Sequence, residues 1–268
     1  MLTWICDLAV DADLDGLEVI PWHGIGQMAR ALRLPRTKRG ALLAVGGSVV
    51  VVAVVGFLFI YFVLFPPSSP KPLSLSSSAA AAPVSSGVRF AGRWTIATGS
   101  VAGYRVREKL GFLPAESDAV GRTSAITGTA TFAQSGQVVG VRAASFTVDV
   151  LKLKSNEAMR DEHIQTIGIQ SATDPTATFM LSSPLTLPAS ALSGDVVHTS
   201  VTGVFKIHGA SRRETVPVEM RLSNSEIQAV GSLTFPWSEF NMTAPSVGGF
   251  VSVTNRATME FDLRLRRA

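Results

Sequence analysis

The chain has 268 residues, 46% hydrophobic and 16% charged, with a mean hydropathy of +0.30, too apolar and too weakly charged for an intrinsically disordered protein. Its single cysteine, Cys6, excludes an internal disulfide framework and a cysteine-ligated zinc module, and four histidines leave little for a histidine-rich metal cluster. The net charge of +4, from 24 Lys and Arg against 20 Asp and Glu, is too small to argue for a nucleic-acid partner.

Residues 1–40 carry five acids, Asp7, Asp11, Asp13, Asp15 and Glu18, then five basic residues, Arg30, Arg33, Arg36, Lys38 and Arg39, with no sustained apolar period. They read as a cytoplasmic segment rather than a folded domain. The GIG of Gly24 to Gly26 has no strand before it and carries no dinucleotide-binding signal. Residues 41–65, ALLAVGGSVVVVAVVGFLFIYFVLF, hold no charge, and as one helix they reach about 37 Å, enough to cross a hydrocarbon core of roughly 30 Å. Basic residues precede this run and the first charge after it is Lys71, so the positive-inside rule predicts a single transmembrane helix in the cell membrane, N-terminus cytoplasmic and the remainder extracytoplasmic. The run is longer than the apolar core of a signal peptide, which favours an uncleaved anchor. Residues 66–88, rich in Pro, Ser and Ala, read as a tether.

Residues 89–268 hold 18 Lys and Arg against 15 Asp and Glu, a balance of +3, and no cysteine, so a folded domain here rests on its core alone. Its pattern has period two. Met259, Phe261, Leu263 and Leu265 alternate with charged or polar neighbours, and Val216, Val218, Met220 and Leu222 do the same, as do Ile227, Ala229, Gly231, Leu233 and Phe235. Further strands are expected at Trp94 to Ala97, Ala102 to Glu108, Ser124 to Phe132, Val138 to Leu153, Ala177 to Ser182 and around Val201 to Ile207, about eight in all. One short helix is expected over Ser155 to Ile167, capped by Ser155 and ended by Gly168. The fold class is all-β, an antiparallel sandwich or a closed barrel, and a barrel of about eight strands is either filled or holds one small ligand.

Asn156 to His163, NEAMRDEH, is the densest polar stretch. Its spacing is not that of a zinc protease helix, so its predicted role is to tie the helix to the barrel by charge-assisted hydrogen bonds. His208 is placed in a turn, His198 in a loop beside Asp195, and Asn241-Met242-Thr243 fits a glycosylation sequon. No serine lies in a GxSxG elbow, and no catalytic residue, metal or cofactor is assigned. The inward apolar positions Phe132, Phe146, Val148, Val150, Phe179, Leu181, Phe205, Ile207, Met220, Leu233, Phe235 and Phe261 either fill a closed core or line an apolar cavity.

Gly92-Arg93-Trp94-Thr95-Ile96, Tyr104-Arg105-Val106, Ala144 to Asp149 followed by Asn156, Arg160, Asp161 and His163, Pro175 to Phe179, Thr202-Gly203 through Ile207-His208-Gly209, and Phe240 through Pro245 to Gly249 occur in an order that resembles the YceI-like domain, a lipocalin-like family associated with polyisoprenoid binding. The resemblance covers about Gly92 to Arg266. It implies an elongated lipocalin-like β-barrel whose bore accepts an isoprenoid or similar amphiphile, sometimes as a homodimer. It also marks Arg160, Asp161 and His163 as polar positions that contact a head group or brace the fold.

The expectation is a single-pass envelope protein with a barrel at 89–268 that binds a polyisoprenoid or quinone-like lipid and is not an enzyme. Burying a prenyl chain yields about 25 cal/mol per Å² without any catalytic group. The alternatives are a filled barrel serving as an interaction or structural domain, and a hydrolase or metal enzyme using Asp161 and His163.

Overall fold

The structure, a computed structural model, describes residues 47–57, 60, 69–75, 83–110, 116–249 and 251–268. The chain divides into two compact units, Met1–Pro67 and Ser68–Ala268. In the first, residues 47–57 are helical. No described helix is long and apolar enough to cross a membrane. The cytoplasmic segment 1–40 and the rest of the expected span 41–65, residue 60 apart, lie outside the described residues.

The second unit is built on one antiparallel sheet of β1 (Gly92–Ile96), β2 (Val101–Leu110), β3 (Glu116–Thr123), β4 (Ile126–Ser135), β5 (Val138–Asp149), β6 (Thr176–Leu181), β7 (Leu185–Thr186), β8 (Val197–Ile207), β9 (Ala210–Leu222), β10 (Ile227–Pro236), β11 (Ser246–Val247) and β12 (Val251–Arg267). The order β1-β4-β5-β6-β8-β9-β10-β12 closes on itself through β1–β12 pairing. β1 and β2 both run along β12, and β3 and β4 run along β2 and β1, so each pair acts as one interrupted wall strand and the barrel is eight-stranded. At the step between β1 and β2, the Ser100 hydroxyl donates to the Ala97 carbonyl at 2.9 Å and accepts from the Arg264 amide at 2.9 Å, which supplies partners the ladder loses there.

Alternation makes the wall. Val216, Val218, Met220 and Leu222 of β9 are buried and face inward, while the intervening residues are less buried. The β8–β9 hairpin turns on His208 and Gly209, with φ of 50° and 68°, between the paired Ile207 and Ala210. Two consecutive left-handed residues match the twist of the flanking strands.

Two clusters of buried side chains pack the barrel toward its two ends. One gathers Phe90, Trp94, Phe132, Val139, Leu187 and Leu222; the other gathers Tyr104, Ile164, Ile169, Phe235, Trp237 and Phe240. The helix α1 (Ala158–Thr166) sits at the second end, where Ile164 is buried.

Several sequence expectations are corrected here. The helix starts at Ala158, with Glu157 rather than Ser155 at its cap and no side-chain capping bond. The Ser155 hydroxyl instead bonds the backbone of Glu157, shaping the approach to the helix. β5 stops at Asp149, whose side chain caps a 3-10 turn over Val150–Lys152. β3 was not foreseen: three successive residues, Ala119 to Gly121, are buried in it, because its outer face is also covered. The cover comes from the tether. The carbonyls of Pro70 and Lys71 accept from Arg105 and Arg122, and the Ser69 hydroxyl donates to the Asp118 carbonyl. At the other end of the tether the Val84 amide donates to Leu192 at 3.0 Å, and Val84 and Val88 pack on the Phe90 cluster. The described parts of 66–88 are therefore docked on the barrel rather than detached from it.

Candidate functional site: an apolar cavity inside the barrel

Between the two end clusters the barrel keeps a cavity of about 170 Å³. Of the twelve inward positions expected from the sequence, Phe132, Phe146, Val148, Val150, Phe179, Leu181, Phe205, Met220, Leu233 and Phe261 line it. Ile207 and Phe235 do not. Both are fully buried in the second end cluster, where Phe235 packs on Phe240 with ring centroids 4.6 Å apart. They have the inward parity but sit too near the end. The lining also includes Ala102, Ile126, Ala144, Val201, Val218, Met259 and Leu263, which the same alternation would have flagged.

The polar residues along this lining are Thr178 and Glu260. In the strand register each alternates with inward neighbours, Thr178 with Ala177 and Phe179, and Glu260 with Met259 and Phe261. Glu260 is 4% exposed and spends its carboxylate outside the bore: Arg122 donates to Oε1 at 2.9 Å and 2.7 Å, and the Arg105 guanidinium lies 3.5 Å from Oε2. An apolar guest therefore meets hydrocarbon on nearly all sides, while the charges that hold the wall lie behind it.

The polar stretch singled out in the sequence lies at the helix end and braces it. Arg160 makes a two-pronged pair with Glu108, both contacts at 3.0 Å, and donates to Asn156 Oδ1 at 2.7 Å. Burial works against the Arg160 charge, but the hydrogen bonds and charge of Glu108 outweigh it and hold the guanidinium above its ordinary value. Asp161 is buried, accepts from the Ser155 amide at 2.8 Å and lies 3.7 Å from Lys154 Nζ. His163 Nδ1 is 2.7 Å from the Met159 carbonyl. None of the three lines the cavity. Asp161 and His163 are two residues apart on a helix and turn to different partners, so they share no cleft.

One neighbour of this group was missed by sequence reasoning. Tyr104 is 1% exposed, and its hydroxyl reaches toward Ser155 without making a hydrogen bond of ordinary geometry among the described residues. Burial pushes its ionisation well above the ordinary phenol range, against the opposing pull of Arg160. Elsewhere, His208 Nδ1 lies 3.2 Å from the Phe240 carbonyl and fixes the hairpin turn. His198 lies in β8 and not in a loop, 3.5 Å from Glu219. Asn241, first residue of the sequon, ends the 3-10 turn over Trp237–Phe240 with φ of 58°. No group of three metal-ligating side chains occurs among the described residues.

A known domain shares this barrel fold. A polyisoprenoid binding domain from Saccharophagus degradans, implicated in plant cell wall breakdown, superimposes with a TM-score of 0.51 at 15% identity, covering 66% of this chain and 99% of that one. BcnA of Burkholderia cenocepacia gives a TM-score of 0.44 at 21% identity, covering 61% and 95%, and a YceI protein of Campylobacter jejuni gives 0.42 at 12%, covering 61% and 85%. No curated protein sequence matches the chain. A family model, that of the YceI-like domain, matches residues 86–265, which takes in every strand described above but the last two residues of β12. The chain belongs to the YceI-like domain family.

Proposed function

We propose that this protein is a membrane-anchored extracytoplasmic carrier that holds a polyisoprenoid or quinone-like lipid in its barrel. The observation that carries the reading is the cavity: a space of about 170 Å³, walled by Phe146, Phe179, Phe205, Phe261 and aliphatic side chains, inside the barrel. An apolar cavity of roughly 150 Å³ stays dry and takes benzene. The space here holds one segment of a prenyl chain, and a longer chain requires lining side chains to swing aside. The likeness to the polyisoprenoid binding domain of Saccharophagus degradans supports the same ligand class. The uncharged run 41–65, with Arg30 to Arg39 before it, supports an anchor with residues 1–40 in the cytoplasm and the barrel outside. In this reading the protein binds and releases, and carries out no chemistry.

The test is mass spectrometry of the organic extract of the full chain, purified gently from a native-like host. A species with an isoprene repeat, stoichiometric with protein, is the expected result. A folded protein that carries none, and takes none up from added geranylgeraniol, overturns the carrier reading in favour of a barrel that serves as an interaction domain.

A further inference from the structure

Three rings that line the cavity stand where side chains of other residues belong. A Cβ built on Gly128 falls 2.7 Å from Phe146 Cδ1, one on Gly203 falls 2.2 Å from Phe179 Cζ, and one on Gly231 falls 2.6 Å from Phe261 Cζ. Gly128 and Phe146 are directly opposed across β4 and β5, as are Gly231 and Phe261 across β10 and β12. Gly203 is one step diagonal to Phe179, which itself opposes Phe205. Each ring thus lies over the bare backbone of a neighbouring strand.

We propose that Gly203 and Gly231, with Gly128, determine how much apolar ligand the barrel admits, because they let Phe179, Phe261 and Phe146 lie down against the wall instead of projecting across the bore. An inward side chain at any of these positions claims the space its ring occupies, and the ring must then turn toward the axis. A cavity of about 170 Å³ has little to lose, since one displaced phenyl ring is of comparable size to what that space holds. The glycines are therefore capacity-setting residues: with them the bore takes a chain, and without them it approaches a filled core. Tyr104 over Gly121 repeats the device, a Cβ there falling 2.3 Å from the ring, but Tyr104 belongs to the end cluster and does not line the cavity. That pair serves as the control.

The inference rests on the carrier reading only for the identity of the guest, so the test uses two probes on the full chain in phosphatidylcholine nanodiscs. Xenon, followed by 129Xe NMR, reports free apolar space whatever the natural ligand is. Nitrobenzoxadiazole-labelled geraniol, followed by fluorescence, reports prenyl uptake. Gly231→Ala and Gly203→Ala are expected to weaken xenon binding by about tenfold or more, while Gly121→Ala leaves it near wild type. Equal xenon binding in all variants overturns the inference. Failure of the prenyl probe on wild type, with the xenon pattern intact, overturns the carrier reading alone. A Cβ at either position also meets a carbonyl, that of Met180 or of Pro217 at 2.6 Å, so these variants lose stability. If either does not fold, the double variants Gly203→Ala/Phe179→Leu and Gly231→Ala/Phe261→Leu decide. A melting temperature above the additive expectation shows that ring and glycine compete for one space, and strict additivity overturns the proposal.

Discussion

The two buried clusters of the barrel are held together by different physics. At the end covered by the strap of residues 84–91, Phe90 stacks on Trp94 at 5.7 Å and 16°, Trp94 meets Phe132 edge-on at 6.0 Å, and the indole nitrogen donates to the Phe90 carbonyl at 2.8 Å. Arg267 anchors the strap from outside through the carbonyls of Arg89 and Ala91. At the helix end an aromatic cluster around Phe240 is overlaid by a polar layer: the Glu108 and Arg160 pair, the buried Asp161, and the buried Tyr104 hydroxyl. An apolar seal loses stability in proportion to what is removed, whereas a polar brace is sensitive to which partner goes, because the one left behind keeps its desolvation penalty.

The sharpest way to break this contrast is Trp94→Ala. The residue is 2% exposed and contacts both Phe90 and Phe132, so its loss costs about 3–5 kcal/mol in chemical denaturation and frees the strap. At the helix end Arg160→Met costs about 2 kcal/mol, since Glu108 then loses both of its charged hydrogen bonds. Adding Glu108→Leu to Arg160→Met recovers part of that loss. If the double variant is no more stable than the single one, the brace is not a coupled pair.

Tyr104→Phe sets the two ends apart by its sign. Removing a buried hydroxyl whose contact with Ser155 falls short of ordinary hydrogen-bond geometry stabilises the fold at pH 7 by up to about 1 kcal/mol, a rise of at most about 2–4 °C in melting temperature for a domain of this size. Because burial raises the ionisation of Tyr104, the fold keeps its stability below the unfolded phenol value of roughly 10 and loses part of it as pH climbs beyond that. Tyr104→Phe therefore also flattens the alkaline decline, which melting curves between pH 8 and 11 would show. A lower melting temperature at pH 7 would mean that the hydroxyl is engaged after all.

The same contrast explains what was legible beforehand. Period two told which face of each strand is inward, and ten of the twelve inward positions do line the cavity. It could not tell height along the barrel, so Ile207 and Phe235 shared the pattern while belonging to the end cluster. β3 escaped because Arg105, Arg122, Glu260 and residues 69–71 cover its outer side, which erases the alternation. The Glu108 and Arg160 pair spans 52 residues of sequence, and the rings over Gly128, Gly203 and Gly231 depend on strand register. Neither is visible to a reading that takes one segment at a time.

The smallest effect refines the helix end from its outer surface. Glu214 and Glu239 face each other there, and desolvation, then the hydrogen bond and charge of Glu239, raise the Glu214 carboxyl above its ordinary value. A raised acid favours its protonated form in the fold. Its contribution is present below the unfolded carboxylate value of roughly 4.3 and is lost as pH rises through the folded value, when the two charges repel. Gln at 214 keeps a hydrogen-bonding amide and removes one charge. The melting temperature of Glu214→Gln minus that of wild type should thus be near zero or slightly negative at pH 4 and slightly positive at pH 7. The group is only partly buried, so salt shrinks the difference. A difference independent of pH and salt would show that the carboxylates do not repel across this turn, leaving the Arg160 brace as the helix end's main electrostatic feature.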